Sequence, residues 1–377
     1  MAKHLWLTSL LLLASPGGAP PEDTSAEQHL IRLSEHVFHD RCPKRLLGDR
    51  RFPFREAEIA CAAFLSGAIE AHVALHGSSK SLEQAVEGLV RVALSSTAME
   101  PFMSTGWSRV HGVRLPKSVL YRGWLAYIFE MRERTRAYSR GGVGASLQAP
   151  ARTPLHHALM RELSSELDQG RFLPSFGKAR YPCDHAPALA AMTLYGNRME
   201  NEELSAAAAG LRSRLSKLLE SGFPSAVGRT GAPTGPVRGT PLAFSAAFLQ
   251  VADPELASRF AAALFEGFCE PALVSGCAEY RDGDGPIDSA SGPTIAGVSV
   301  GTTALALAAS GAAPDDRVVP GLWRTAALAQ SQFKLDPAKA PLELAILAFA
   351  RTHYERALLP AVSADHVGKA RRAAVEP

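Results

Sequence analysis

Along nearly the whole chain, apolar residues recur at i, i+3, i+4 and i+7, and almost no segment alternates apolar with polar in the manner of a strand. The pattern therefore predicts a predominantly helical protein. Helices are expected at Ala26–His39, Arg55–His76, Ser81–Ser95, Ser118–Thr135, Pro154–Asp168 and Cys183–Tyr195, and again at Glu202–Glu220, Pro241–Val251, Pro254–Glu270, Gly292–Ser310, Asp316–Phe333 and Pro341–Tyr354. The first of these and every second one after it carry charge along one face, as in ELSAAAAGLRSRLSKLLE, which suits a half-exposed helix. Their partners, such as TPLAFSAAFLQV and PLELAILAFA, hold few or no charges beyond the first turn and suit helices buried on all sides.

The connections alternate as well. Turns after the apolar helices are short (GNRMEN, ADPE, GAAPDD), whereas segments before them are long and rich in Gly and Pro, as in SGFPSAVGRTGAPTGPVRG. A repeat of about 60 residues emerges at the level of architecture: a helical hairpin with one outer and one inner member. Six such hairpins closing into a ring give an all-α fold, an (α/α)6 toroid with inner helices around a central funnel. The uncharged run Ser289–Pro314 is long enough to cross a bilayer, but its Gly, Ser, Thr and Pro content makes it only weakly hydrophobic, so it is assigned to the ring.

The N-terminus departs from this pattern. MAKHLWLTSLLLLASPGGAPPE has a cation at Lys3, an apolar stretch Leu5–Leu13 and small residues from Ala14 to Ala19, the anatomy of a secretory signal peptide. Its apolar stretch falls far short of the roughly 20 residues that span a membrane. The chain is accordingly divided into a signal peptide (1–21), a toroid domain (22–360) and a flexible tail (361–377), and is expected to be exported to the periplasm or the extracellular space, without stable membrane insertion once the signal is removed.

Composition adds limits. The 377 residues are 46% hydrophobic and 20% charged, with a formal net charge of +3. No basic block or basic stripe interleaved with aromatics occurs, so nucleic acid is not expected as a partner. An oxidising compartment would permit the five cysteines to form two disulfides, with Cys42–Cys61 and Cys269–Cys277 close enough in sequence to pair and Cys183 left over; five unpaired buried cysteines is the alternative. No CxxC or Cys/His spacing of a zinc site is present, and neither metal nor cofactor is expected.

The densest charge stands in RDGDGPIDSASGP, residues 281–293, immediately before an apolar helix. Asp282, Asp284 and the following glycine resemble the start of a calcium loop, but the twelfth position, where an EF-hand needs Glu, is Pro293. A solvated turn ending in a helix cap remains open. If the long loops share one rim, however, they gather a specific set of side chains at the N-termini of inner helices, where free N–H groups attract oxygen-rich ligands. That set comprises Tyr121, Arg122 and Trp124 (LYRGW); Tyr181, Cys183, Asp184 and His185 (RYPCDH); Arg238 and Thr240 (VRGTP); and Glu279, Tyr280, Asp282, Asp284 and Asp288 (AEYRDGDGPID). Two carboxylates from different hairpins can serve as general acid and general base, and Asp184 with Asp288 is the expected catalytic pair. Tyr121, Trp124, Tyr181, Cys183, His185, Arg238, Glu279, Tyr280 and Asp284 are the expected substrate contacts.

YRGWLAYIF, YPCDHAPALAAMTLYG, RGTPLAFSAAFLQVADPEL and IDSASGPTIAGVSVGTTALALAA together resemble bacterial six-hairpin toroid proteins related to the glycosidase-like superfamily, including a subgroup with an Asp-Ser-Gly-Pro signature before an inner helix. Here that signature is lengthened by two residues to DSASGP. The resemblance implies an enzyme acting on a small molecule or oligosaccharide, with glycoside hydrolysis first. A hydro-lyase of the linalool dehydratase/isomerase type, working on a small alcohol with Cys183 beside Asp184, is the alternative, and a non-catalytic cell-envelope binding protein is a third. Fold does not choose among them.

Overall fold

The computed structural model describes residues 23–43, 54–141, 153–282, 285–286, 288, 291–333 and 335–358. The expected signal peptide and C-terminal tail lie outside the described residues. Among the described residues, twelve helices of nine residues or more follow one another: α1 (Asp23–His39), α2 (Ala57–His76), α3 (Lys80–Ala93), α4 (Val119–Gly141), α5 (Pro154–Leu167), α6 (Ala186–Met199), α7 (Glu202–Glu220), α8 (Gly239–Leu249), α9 (Pro254–Phe268), α10 (Val300–Ala308), α11 (Val319–Phe333) and α12 (Pro341–Leu358).

Their packing is that of the expected (α/α)6 toroid. Helix α2 packs on α4, α4 on α6, α6 on α8, α8 on α10 and α10 on α12, and α12 returns to α2, so the even-numbered helices form a closed inner ring. Each odd-numbered helix from α3 onward lies against the inner helix preceding it, and α1 packs on α2, α3 and α12. Sequence character follows position. Helix α2 is buried continuously from Ala57 to Val73. Outer helix α3 buries one face only, through Leu82, Val86, Leu89, Val90 and Ala93. Each large aliphatic side chain so buried stabilises the fold by about 1.5–3 kcal/mol relative to exposure.

Among the described residues, α2 is the one helix long and apolar enough to cross a membrane, and 83% of its apolar window is buried in the ring. At the ring's axis Phe64, Tyr127, Phe248 and Phe349, from four different inner helices, meet with ring centroids 5.2–6.0 Å apart. Gly67 permits this approach, because a Cβ there would lie 2.5 Å from the Phe349 ring.

Among the described residues, two short hairpins interrupt the helical pattern. Trp107–Val110 pairs with Val113–Pro116, and Thr294–Ile295 with Val298–Ser299. The second corrects the expectation that an inner helix starts near Gly292. Ala296 and Gly297 adopt positive φ (52° and 86°), turning the chain back on itself, and α10 begins only at Val300, capped by the Ser299 hydroxyl accepting from the Thr302 N–H at 3.1 Å.

Side-chain caps occur in both rings: inner helices α4 and α10 are capped by Ser118 and Ser299, and outer helix α5 has none. Outer helices α3, α7 and α9 are capped by Ser79, Asn201 and Asp253, which accept from the third residue onward. Inner helices α2, α6 and α8, which begin after Glu56, His185 and Arg238, have no such side-chain cap.

Cysteines pair as Cys42–Cys61 and Cys269–Cys277, and Cys183 is a buried free thiol. The first disulfide ties the segment after α1 to α2 across a sequence separation of 19. Replacing both Cys42 and Cys61 by Ala is expected to lower the unfolding free energy by about 3 kcal/mol, the loop-closure value for a ring near this size. Urea denaturation of the oxidised protein checks it, and an unchanged midpoint would show that the cross-link does not constrain the unfolded chain.

Candidate active site

The inner helices all begin on one side of the ring, and there they enclose a cavity of about 360 Å³. Every inner helix contributes to its wall: Glu56 and Ala60 at α2, Leu120 and Trp124 on α4, Cys183 and Asp184 before α6, Thr240 and Phe244 on α8, Val300 and Ala304 on α10, and Glu343 and Ile346 on α12. The wall is divided in character. Phe64, Trp124, Phe244, Leu305, Leu342 and Ile346 form its apolar part, while Glu56, Asp184, Asp288 and Glu343 bring carboxyl groups to it.

Asp184 sits in a single 3-10 turn, Pro182–His185, that leads into α6. It is 7% exposed. Burial raises its pKa to about 7, and the Ser175 hydroxyl and Cys183 thiol offset only part of that rise, while the charge of Glu56 adds to it. The thiol donates to Oδ1 at 3.6 Å, and Oδ2 has no hydrogen-bonding partner among the described residues. Asp184 is thus a carboxyl group that holds its proton near neutrality. The Cys183 thiol is itself pushed well up by burial and by Asp184, so it acts as a neutral donor and not as a thiolate.

Asp288 is different in kind. Its Oδ2 lies 2.7 Å from Arg238 Nη1, and its Oδ1 accepts the Ser291 N–H at 2.9 Å. Burial would raise its pKa, but Arg238 and Ser291 outweigh burial and hold it below the ordinary carboxylate value. Arg238 in turn gives Nε to Glu279, and the other Glu279 oxygen accepts from the hydroxyls of Thr240 and Thr302. The Arg238 guanidinium also stands over the Tyr280 ring, 5.7 Å from its centroid.

Glu56 is a member of this site that the sequence reading did not select. Burial raises its pKa, and the charge of Asp288 raises it further. Glu343 is the second omission. Both sit at inner-helix N-termini, the positions from which the other candidates were drawn, so that rule applied to all six inner helices would have found them.

Of the sequence candidates, Asp184, Asp288, Trp124, Tyr181, Cys183, Arg238 and Thr240 line one cavity. Tyr121 does not: its ring packs on Phe102 at 5.5 Å and its hydroxyl donates to the Ala93 carbonyl at 2.9 Å, which turns it toward the outer layer. Arg122 likewise faces outward, to Glu162 and Glu166. His185 is corrected to a structural role. Its Nε2 accepts the Leu173 N–H at 3.0 Å and its Nδ1 donates to the Tyr181 carbonyl at 3.2 Å, and burial lowers its pKa to about 3, keeping it neutral. Glu279 stands behind Arg238 and outside the cavity wall, and Tyr280, whose hydroxyl donates to the Pro286 carbonyl at 3.0 Å, also lies outside it. Asp284 lies outside the described residues. No group of three or more His, Cys, Asp or Glu side chains suited to hold a metal ion occurs among the described residues.

No protein-family model and no curated protein matches the chain. Solved structures do. A D-mannose isomerase shares 11% identity with it at a TM-score of 0.50, over 90% of this chain and 99% of the other. A GH76 α-mannanase from Bacteroides thetaiotaomicron shares 8% identity at a TM-score of 0.49, over 90% of this chain and 98% of the other. A GH76A α-1,6-mannanase from Salegentibacter sp. HEL1_6 shares 12% at 0.46, over 90% and 100%. At such identities the likeness is one of fold, and the fold is the (α/α)6 toroid of six helical hairpins.

Proposed function

We propose that the chain is an exported enzyme that carries out acid–base chemistry on a hydroxylated substrate of carbohydrate size, in the manner of a glycoside hydrolase. The observation that carries this reading is Asp184: a buried carboxyl, protonated near neutrality, facing a cavity together with three further carboxyl-bearing residues, Glu56, Asp288 and Glu343. Three buried polar atoms on cavity-lining residues, Asp184 Oδ2, Arg238 Nη2 and Trp124 Nε1, have no partner among the described residues. Nη2 and Nε1 donate, and so does Oδ2 when it carries the Asp184 proton, Oδ1 being the oxygen that accepts from Cys183; all three match acceptor oxygens of a hydroxylated substrate.

In hydrolysis Asp184 gives its proton to the glycosidic oxygen as the bond from that oxygen to the anomeric carbon breaks. A water attacks the same carbon and passes its proton to Glu56, while Asp288, held ionised by Arg238, stabilises the positive charge that develops on the ring. The original pairing of Asp184 with Asp288 is thereby modified. A carboxylate gripped by an arginine is a poor base, and Glu56, with its raised pKa, is the better acceptor.

A second reading is favoured by the apolar part of the wall and by Cys183 against Asp184. It is a hydro-lyase on a small alcohol, in which Asp184 protonates the hydroxyl, water departs, and Glu56 removes a proton from the adjacent carbon to leave an alkene.

Screening the purified mature protein against aryl glycosides, oligosaccharides such as α-1,6-mannotriose, and small tertiary alcohols separates the two. With either substrate class the acid must be protonated, so kcat/KM is expected to fall about tenfold per pH unit once pH rises above about 7. A rate that stays level from pH 6 to pH 9 would remove Asp184 from the acid role.

A further inference from the structure

We infer that the cavity admits an uncharged substrate and turns away a carboxylate-bearing one, because the positive charge of Arg238 is already held by two carboxylates. This deepens the reading above and rests on it for the identity of the site. Among the described residues Arg238 is the one Lys or Arg on the cavity wall, against the carboxyl-bearing Glu56, Asp184, Asp288 and Glu343. A lone arginine in a pocket ordinarily reads as a receptor for an anion, since its planar fork matches a carboxylate.

Here the fork is occupied. Nη1 lies 2.7 Å from Asp288 and Nε is given to Glu279, which is 5% exposed and fixed in turn by the Thr240 and Thr302 hydroxyls. On the other side, the Ser299 hydroxyl donates to the Ser291 carbonyl at 2.7 Å, and the Ser291 N–H donates to Asp288 at 2.9 Å. The guanidinium is therefore held from both sides, by Asp288 on Nη1 and by Glu279 on Nε. It retains Nη2 as a donor to a neutral oxygen, but no net positive charge with which to offset a second anion beside Asp288 and Glu56. Glu279 is a positioning residue: it touches neither the cavity nor a reacting atom and acts through Arg238.

The experiment uses three probes with one ring and different heads, cyclohexylmethanol, cyclohexylmethylammonium and cyclohexanecarboxylate, titrated into the mature protein by calorimetry at pH 7.5. The alcohol and the ammonium are expected to bind at least tenfold more tightly than the carboxylate. In Glu279→Gln, which releases half of the charge on Arg238, the carboxylate should gain at least tenfold while the alcohol changes less than threefold. Thr302→Val, which removes a hydrogen bond without changing charge, should keep the wild-type order. A carboxylate that binds wild-type protein as tightly as the alcohol, an unchanged order in a folded Glu279→Gln, or no binding of any probe would overturn the inference. The wild-type series stands even if the Gln variant fails to fold. It also fails separately from the acid–base reading: tight carboxylate binding leaves Asp184 as the acid, whereas loss of the pH-dependent rate leaves the charge preference untouched.

Discussion

Asp184→Asn should reduce turnover by a factor of about 100 to 10,000, the range expected when a general acid is removed, while leaving the fold intact. The substitution keeps the shape of the side chain and an oxygen for the Cys183 thiol to donate to. It removes the only proton in the turn Pro182–His185 that is poised near neutrality, because the neighbouring thiol is pushed up and the His185 ring is held neutral.

Stability provides the control. The Asp184 pKa is raised on folding, from the ordinary 3.8 to about 7, so its contribution is fully present below the unfolded value and is lost as pH rises through about 7. Asn has no charge to bury. The melting temperature of the variant relative to wild type should therefore climb between about pH 4 and pH 7 and level off above pH 8, while its activity stays low throughout. Normal turnover in Asp184→Asn, or inactivity accompanied by unfolding, would assign the residue to structure. Glu56→Gln should show the same loss of turnover if Glu56 takes the proton.

The architecture was legible because it depends on what a sequence displays directly. Continuous burial of α2 and one-faced burial of α3 follow from where the charges fall, and the ring follows from the alternation of the two kinds of helix with short turns and long loops. The site was legible in part. Reading inner-helix N-termini found Asp184, Arg238 and Asp288 on one cavity, yet the loops chosen were those rich in aromatic and acidic residues, so Glu56 in FPFREAE and Glu343 in APLELA were passed over. Orientation was the harder quantity. Tyr121 and Trp124 stand one turn apart on α4, and only the packing of Phe102 and Ala93 on one side and Phe244 on the other decides that the tryptophan faces the cavity and the tyrosine does not. The late start of α10 has a similar origin. An uncharged run permits a helix from Gly292, and the reversal at Ala296–Gly297 that prevents it is a matter of two residues' φ.

Glu70→Gln should cost about 3–5 kcal/mol of stability, the typical penalty for breaking a buried ion pair by removing one partner. Glu70 lies on α2 toward its C-terminal end, away from the cavity, and is fully buried. Its Oε1 is 2.7 Å from Arg134 of α4 and its Oε2 is 3.0 Å from Arg356 of α12, so one carboxylate clamps three neighbouring inner helices where the ring closes. Burial alone would raise its pKa, but Arg134 and Arg356 reverse that and bring it down to about 2. Because the folded value is depressed, its contribution is fully present above about pH 4.5 and is lost as pH falls toward 2. Urea denaturation of wild type and Glu70→Gln should accordingly show a large gap at pH 7 that narrows progressively below pH 4.5. A constant gap would mean that the loss reflects packing, and no gap would mean that the arginines find other partners. In the double variant Glu70→Gln with Arg134→Gln the added cost should be much smaller than the cost of Arg134→Gln alone, since an arginine already deprived of its carboxylate has less to lose. A ring loosened at that end carries the cavity with it, because α2, α4 and α12 also supply Glu56, Trp124 and Glu343 to the wall.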